Sequence, residues 1–200
     1  STLNAKSSEV KKSLHDVDYI EGGINRLLER MEGGIPDFLI PDGYREVERY
    51  FVNKPYEVVS LLYNDERDEY LYYAVEPEIN EVERFFLAEI EDKLGITLLF
   101  TDVEEELNEK EKEKILRRKI QEVVEHYHIA LEPNSLRKIS YYLVRDFIQF
   151  GKIDVLMRDR FAEDISCDGN DVPVYVYHWK YGSIASNIAF DEAALDSFVV

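Results

Sequence analysis

The segment Val172–Phe190, VPVYVYHWKYGSIASNIAF, constrains the fold of this chain most strongly. Side chains alternate with a period of two on both sides of the Tyr181-Gly182 turn, which is typical of strands that bury one face. One face of the first strand carries Val174, Val176 and His178, and one face of the second carries Ile184, Ile188 and Phe190. The segment therefore predicts an antiparallel hairpin that packs one face against another element.

The opposite face of this hairpin carries a concentration of aromatic side chains. Tyr175, Tyr177 and Trp179 alternate along it, and the cation Lys180 follows at the turn. Cross-strand packing with an extended lysine side chain would account for this pattern. The same groups would also suit a surface that contacts another domain or a phosphate, so both interpretations stay open.

The rest of the chain alternates between helical and β-type patterns. Apolar residues at three- and four-residue steps predict helices, and period-two runs bounded by turn residues predict strands. Predicted helices cover residues 9–31, 77–94, 108–131, 135–150 and 153–157, and a last helix starts at Asp191. Predicted strands cover residues 44–52, 56–63, 69–75, 96–100 and 163–168 in addition to the hairpin.

These elements predict an α+β fold. N-terminal helices precede a small, mostly antiparallel sheet with helices, and two long helices lead to a compact C-terminal antiparallel β-sheet unit covered by a helix. We expect a helical extension over residues 1–42, an α/β subdomain over 43–132 that ends in a long helix, and a helix-plus-hairpin subdomain over 133–200. The helix pattern stops at Val200 without a cap or polar tail, so we expect a piece of a longer protein.

The composition narrows the classes of function. A formal net charge of −18 repels phosphate backbones, so nucleic acid is not an expected partner. The single cysteine, Cys167, allows no internal disulfide, and its alternation predicts a small core residue on a strand. No apolar run approaches the roughly 20 residues that span a bilayer, and the N-terminus lacks a secretory signal. A cytoplasmic globular chain is expected.

A phosphate-binding loop is absent from the sequence. The Walker A motif G-x-x-x-x-G-K-[ST] cradles phosphates with backbone N–H groups and a lysine. At the single Gly-Lys pair, Gly151-Lys152, Asp146 occupies the position of the first glycine and Ile153 that of the Ser or Thr. We therefore expect no cofactor, no metal and no catalytic residue in this chain. An enzyme that uses Cys167 or the histidines has little support.

Two blocks of the sequence resemble a known family. They are IDVLMRDRFAEDISCDG at Ile153–Gly169 and VPVYVYHWKYGSI at Val172–Ile184. Both are similar to the archaeal branch of the type II/IV secretion-system ATPases, the assembly motors of archaeal pili and of the archaellum. Weaker similarity covers EVERY at 46–50 with the following Pro55-Tyr56, and EYLYYAVEP at 69–77.

Members of this family are hexameric rings in which an N-terminal α/β region precedes a RecA-like ATPase domain. The resemblance implies a non-catalytic N-terminal regulatory and assembly domain, while the motor domain of the parent protein binds ATP and Mg²⁺. The implied partners are the motor domain of the same chain, neighbouring subunits of a homohexamer and an inner-membrane platform protein. Membrane association would be peripheral, through those partners.

The resemblance also implies candidate functional residues, because the N-terminal domain of such motors packs over the nucleotide cleft and can direct a cation towards the phosphates. The nucleotide-proximal or interdomain candidates are Arg158, Arg160, His178, Lys180 and Tyr181, which lie in or beside the two blocks. The pattern does not decide among the cations. The alternative function is a stand-alone acidic interaction domain that binds a basic protein partner.

Overall fold

A computed structural model of the chain describes residues 38–95 and 107–191. The described helices are α1 (Glu81–Leu94), α2 (Glu109–His126), α3 (Pro133–Phe147) and α4 (Asp154–Arg158), with a 3₁₀ turn at Gly151–Ile153. The described strands are β1 (Tyr44–Asn53), β2 (Glu57–Asn64), β3 (Glu69–Val75), β4 (Ala162–Ser166), β5 (Pro173–His178) and β6 (Gly182–Ala189). A mostly antiparallel sheet with helices confirms the predicted α+β class.

All the described strands form one six-stranded sheet in the order β1-β2-β3-β6-β5-β4. Neighbouring strands are antiparallel except β3 and β6, which run parallel and pair Leu71 with Ala185 and Tyr72 with Ser186. A parallel pair needs a crossover, and the chain between these two strands contains all the described helices. This pair joins the strands of residues 43–132 to those of residues 133–200 in a single sheet.

The sheet is strongly curled. Three strands separate β1 from β5 in the sheet order, yet the Tyr50 hydroxyl on β1 lies 3.1 Å from His178 Nε2 on β5. The 3₁₀ turn and α4 place Ile153, Val155 and Leu156 against the curled sheet, and all three side chains are buried. The buried residues packed around them are Val59, Leu61, Tyr72, Ala74, Val174, Val176, Ile184 and Phe190. The sheet therefore holds one hydrophobic core around α4.

A second hydrophobic core lies among α1, α2 and α3. Its buried members are Ile90, Leu116, Ile120, Ile139, Leu143 and Val144. Helix α3 also contacts the sheet, because the buried Tyr141 hydroxyl donates a hydrogen bond to Glu57 Oε1 at the start of β2, at 2.8 Å. Helix α3 is therefore buried on two sides, one against the helices and one against the sheet.

The helix ends follow local sequence signals. Asn80 and Asn108 cap α1 and α2, and each completes a capping box with the glutamate three residues later. Gly95 ends α1 with a φ of 53°, the left-handed conformation that favours glycine. Helix α1 begins at Glu81 rather than near Pro77, because Asn80 supplies the side-chain cap.

Two burial predictions are wrong. Strand β4 ends at Ser166, and Cys167 beyond it is exposed rather than part of the core. A register shift between Ala162 and Asp164 also interrupts the simple alternation of faces in β4. The apolar spacing that predicts the helix over 77–94 places Val82 on its apolar face, but this side chain is 63% exposed in the first turn of α1.

Three predicted elements lie outside the described residues: the helix over 9–31, the strand over 96–100 and the body of the helix after Asp191. Within residues 38–95 and 107–191, no helix is long and apolar enough to cross a bilayer.

Candidate functional site

The hairpin of β5 and β6 has the two faces that its alternation predicts. The inner side chains Val174, Val176 and His178 are buried. The outer side chains Tyr175, Tyr177 and Trp179 are 40, 51 and 58% exposed, and we refer to these three residues as the aromatic strip. Exposed aromatic groups in a row on one sheet face are characteristic of contact surfaces.

Arg160 extends the aromatic strip. Its guanidinium lies 4.6 Å from the centre of the Phe161 ring, and that ring lies 6.0 Å from the ring of Trp179. The Trp179 backbone N–H donates to the Phe161 carbonyl at 3.0 Å, which fixes the hairpin against the loop after α4. Arg160 is exposed and forms no ion pair with any carboxylate of the described residues. The strip therefore ends at a cation that can pair with a partner.

Lys180 and Tyr181 converge on one carboxylate of β1. Lys180 Nζ lies 2.9 Å from Glu48 Oε2, and the Tyr181 hydroxyl donates to the same oxygen at 2.7 Å. Burial raises the pKa of Glu48, but the hydrogen bonds from Tyr181 and Lys180 outweigh it and lower that pKa overall. Lys180 is exposed and ion-paired, unlike Arg160, which pairs with no carboxylate of the described residues.

His178 lies in the protein interior. The Lys180 backbone N–H donates to His178 Nδ1 at 3.2 Å, so the proton of the neutral ring is on Nε2 and points to the Tyr50 hydroxyl at 3.1 Å. Burial lowers the pKa of His178, which favours this neutral form. The ring is 1% exposed and therefore presents no surface to a partner.

The buried carboxylate of Asp159 collects the hydrogen bonds around His178. The Tyr50 and Tyr72 hydroxyls each donate to Asp159 Oδ2 at 2.6 Å, and the Phe161 N–H donates to Oδ1 at 2.9 Å. Burial and the negative charge of Asp159 raise the pKa of both tyrosines. This network connects β1, β3 and β5 to the loop that carries Arg160, so it helps to fix the position of that arginine.

Arg158 and Arg160, which the sequence could not rank, line one cavity of about 350 Å³ together with Asp159. The two guanidinium groups differ in their interaction partners. Arg158 Nε donates to the buried Asp154 at 2.7 Å, whereas Arg160 has only its ring contact among the described groups. The structure thus brings two of the candidate cations, Arg158 and Arg160, into one cavity, whereas Lys180 forms its ion pair elsewhere, with Glu48.

A buried carboxyl cluster at Glu57 was not predicted from the sequence. Glu57 is fully buried, and its Oε2 atom lies 3.6 Å from Arg158 Nε without a hydrogen-bond partner among the described groups. Burial and the neighbouring Asp154 raise the pKa of Glu57 to about 8. The available signal was an acidic residue at the head of the apolar run EVVSLLY, where an unpaired charge is costly.

Comparison with known families supports a relationship to secretion motors. Residues 25–78 match the family model described as PilB3-like, N-terminal. The described part of this match contains β1, β2 and β3. It supports an N-terminal domain of a PilB-type secretion or pilus ATPase, and it ends before the hairpin of β5 and β6.

A curated relative extends the similarity. Over 130 residues the chain is 36% identical to the uncharacterized protein MJ1288 of Methanocaldococcus jannaschii. The aligned region covers 64% of this chain and 51% of the relative. The chain therefore spans about half the length of that protein.

Proposed function

We propose that this chain is the N-terminal regulatory and assembly domain of an archaeal-type secretion or pilus-assembly ATPase. The chain does not hydrolyse ATP itself; it docks on the RecA-like motor domain of the parent protein, close to the nucleotide cleft. The assembled protein is a homohexamer, and other surfaces of this domain engage the inner-membrane platform protein. The match of residues 25–78 to the PilB3-like N-terminal family carries the proposal.

The aromatic strip supports docking at the β5–β6 hairpin. Tyr and Trp side chains are enriched among the residues that dominate protein interfaces, and here three of them form one exposed row. The row lies on a sheet face whose opposite side is part of the hydrophobic core, so its position is fixed before docking.

Arg160 is the cation best suited to reach the phosphates of a nucleotide. It is exposed and is not neutralised by a described carboxylate, whereas Arg158 pairs with Asp154 and Lys180 pairs with Glu48. A guanidinium can bind phosphate oxygens with two parallel hydrogen bonds, so a free one is more useful there than a paired one.

ATP turnover tests this proposal. We expect a gene product that continues beyond Val200 to hydrolyse ATP, and the 200-residue chain alone to show no turnover. In the longer protein, Arg160→Gln should lower turnover about tenfold or more, because arginines at transferring phosphates contribute strongly to phosphoryl transfer. The matched control is Arg137→Gln, an exposed arginine of α3 outside the strip. Turnover by the 200-residue chain would contradict the proposal.

The alternative function is a stand-alone interaction domain that binds a basic protein. The net charge of −18 favours it, because an acidic surface steers cationic partners. A stop codon directly after Val200 would support this alternative, and a downstream Walker A motif in the same reading frame would exclude it.

A further inference from the structure

A second cavity, of about 250 Å³, collects cationic side chains from four parts of the fold. Lys54 comes from the β1–β2 turn, Arg117 from α2, Arg145 from α3 and Arg158 from α4. These residues lie far apart in the sequence and meet only because α2 and α3 pack beside the start of β2. We refer to this cavity as the basic pocket.

The lining of the basic pocket is richer in cationic side chains than the chain as a whole. Four cationic side chains line it against two carboxylates, Glu113 and Asp154. The complete chain has 24 lysines and arginines against 42 acidic residues. Glu76 and Asp146 also pair with Arg145 from outside the lining, so the attraction for an anion comes from the donors that Arg158 leaves unpaired rather than from a net positive charge.

The carboxylates hold the guanidinium groups in place. Arg145 Nη1 binds both oxygens of Glu76 at 2.9 Å, and Arg117 Nε donates to Glu113 at 2.8 Å. Arg158 is held through Nε by Asp154, and its two terminal nitrogens make no hydrogen bond among the described groups. Arg158 therefore presents an oriented, unoccupied pair of donors on a fixed side chain.

Glu57, behind the wall of the basic pocket, adds little negative charge. The Tyr141 hydroxyl lies between Glu57 Oε1, at 2.8 Å, and Glu76 Oε1, at 2.7 Å. The raised pKa of Glu57 keeps that carboxyl largely protonated at neutral pH. A neutral Glu57 leaves Arg158 with a single carboxylate partner, Asp154. The positive charge of the arginine is then not cancelled by two acids.

We propose that the basic pocket binds a small phosphate-bearing anion, either inorganic phosphate or a small phosphomonoester. Phosphate oxygens match the planar donors of fixed arginines, which bind them bidentately. Pockets for drug-sized ligands usually have volumes of about 300–1,000 Å³, so a cavity of 250 Å³ suits a small anion better than a whole nucleotide. The proposal does not depend on the docking function of the aromatic strip.

Isothermal titration calorimetry of the 200-residue chain with inorganic phosphate tests this site. The reference is a titration with sodium chloride at the same ionic strength. We expect saturable binding of one phosphate per chain. Arg158→Gln and Arg117→Gln should each weaken phosphate binding about tenfold, because each removes one guanidinium group and its hydrogen bonds to the phosphate. Arg137→Gln, an exposed arginine of α3 outside the pocket, should bind phosphate as the natural chain does.

Both Arg158→Gln and Arg117→Gln are measured, so that a folding defect in one of them does not decide whether the pocket binds phosphate. The absence of phosphate binding in the natural chain, or binding that neither variant weakens, would overturn the proposal. Glycerol phosphate distinguishes the two sources of the ligand. Tighter binding of glycerol phosphate than of phosphate would assign the pocket to a phosphorylated metabolite, and equal binding would assign it to free phosphate; either result supports a phosphate site.

Discussion

Asp159 shows how one buried residue organises its surroundings. It is 5% exposed, and two tyrosine hydroxyls and one backbone N–H satisfy its carboxylate. Its partners are as distant in sequence as Tyr50 and Tyr72, so no local pattern predicts the network. The sequence does show His178 on the same strand face as Val174 and Val176, and the structure shows that this polar ring is buried and hydrogen-bonded.

Removing one of these hydroxyls should destabilise the fold. Tyr72→Phe deletes a hydrogen bond to a buried carboxylate, and such charge-assisted bonds contribute about 1.5–3 kcal/mol. We therefore expect the free energy of unfolding, measured by urea titration, to fall by about that amount. Tyr73→Phe is the matched control on the same strand, because the Tyr73 ring stacks on Phe38 and its hydroxyl makes no hydrogen bond to a described group. Equal stabilities of the two variants would contradict the role of Asp159.

Glu57 predicts a specific dependence of stability on pH. Its pKa in the folded chain is about 8, above the ordinary value of 4.5, so folding favours the protonated form. Its contribution to stability is complete below pH about 4.5 and is lost as pH rises through 8. Glu57→Gln keeps a neutral hydrogen-bonding group at this position at every pH.

The measurement is the melting temperature of the natural chain and of Glu57→Gln between pH 5 and 9. We expect the melting temperature of the variant relative to that of the natural chain to increase as pH rises towards 9. Glu66→Gln, in the exposed β2–β3 turn, should show a constant difference across the range. A pH-independent difference for Glu57→Gln would show that the natural carboxyl is already ionised at pH 5.

At the scale of elements, the hairpin of β5 and β6 is the part that the sequence predicts best. Period-two alternation identifies both faces because one face packs against α4 and the other is exposed. Alternation fails at Cys167 because the strand has already ended. It also gives no indication that Lys180 meets Glu48, since the curl of the sheet brings β1 to the hairpin turn.

The ion pair of Lys180 should contribute little to stability. Both side chains are substantially exposed, and exposed ion pairs are worth about 0–1 kcal/mol. Lys180→Ala should therefore change the melting temperature of the 200-residue chain by at most a few degrees. If the hairpin turn also contacts a motor domain, the same substitution should reduce ATP turnover of the longer protein. Unchanged turnover would leave Lys180 as a structural residue only.

At the scale of the whole molecule, the sequence predicts the class of fold but not that all the described strands join in a single sheet. The hairpins carry local signals, and so does Asn108, the residue at which a helix was predicted to start and which caps α2. The parallel pairing of β3 with β6 has no local signal, because it depends on how the intervening helices pack. The basic pocket and the partners of Glu57 arise from that same packing, so neither could be found before the fold was known.

The central claim is that the aromatic strip is the docking surface for a motor domain. Trp179 is the single tryptophan of the chain and is 58% exposed, so its fluorescence reports on that surface directly. The decisive measurement is acrylamide quenching of Trp179 in the 200-residue chain, alone and with the separately purified downstream domain carrying phenylalanine in place of its tryptophans. We predict strong quenching alone and marked protection with a blue-shifted emission in the complex. Formation of a complex without any change in quenching would contradict the claim, and so would the absence of a complex.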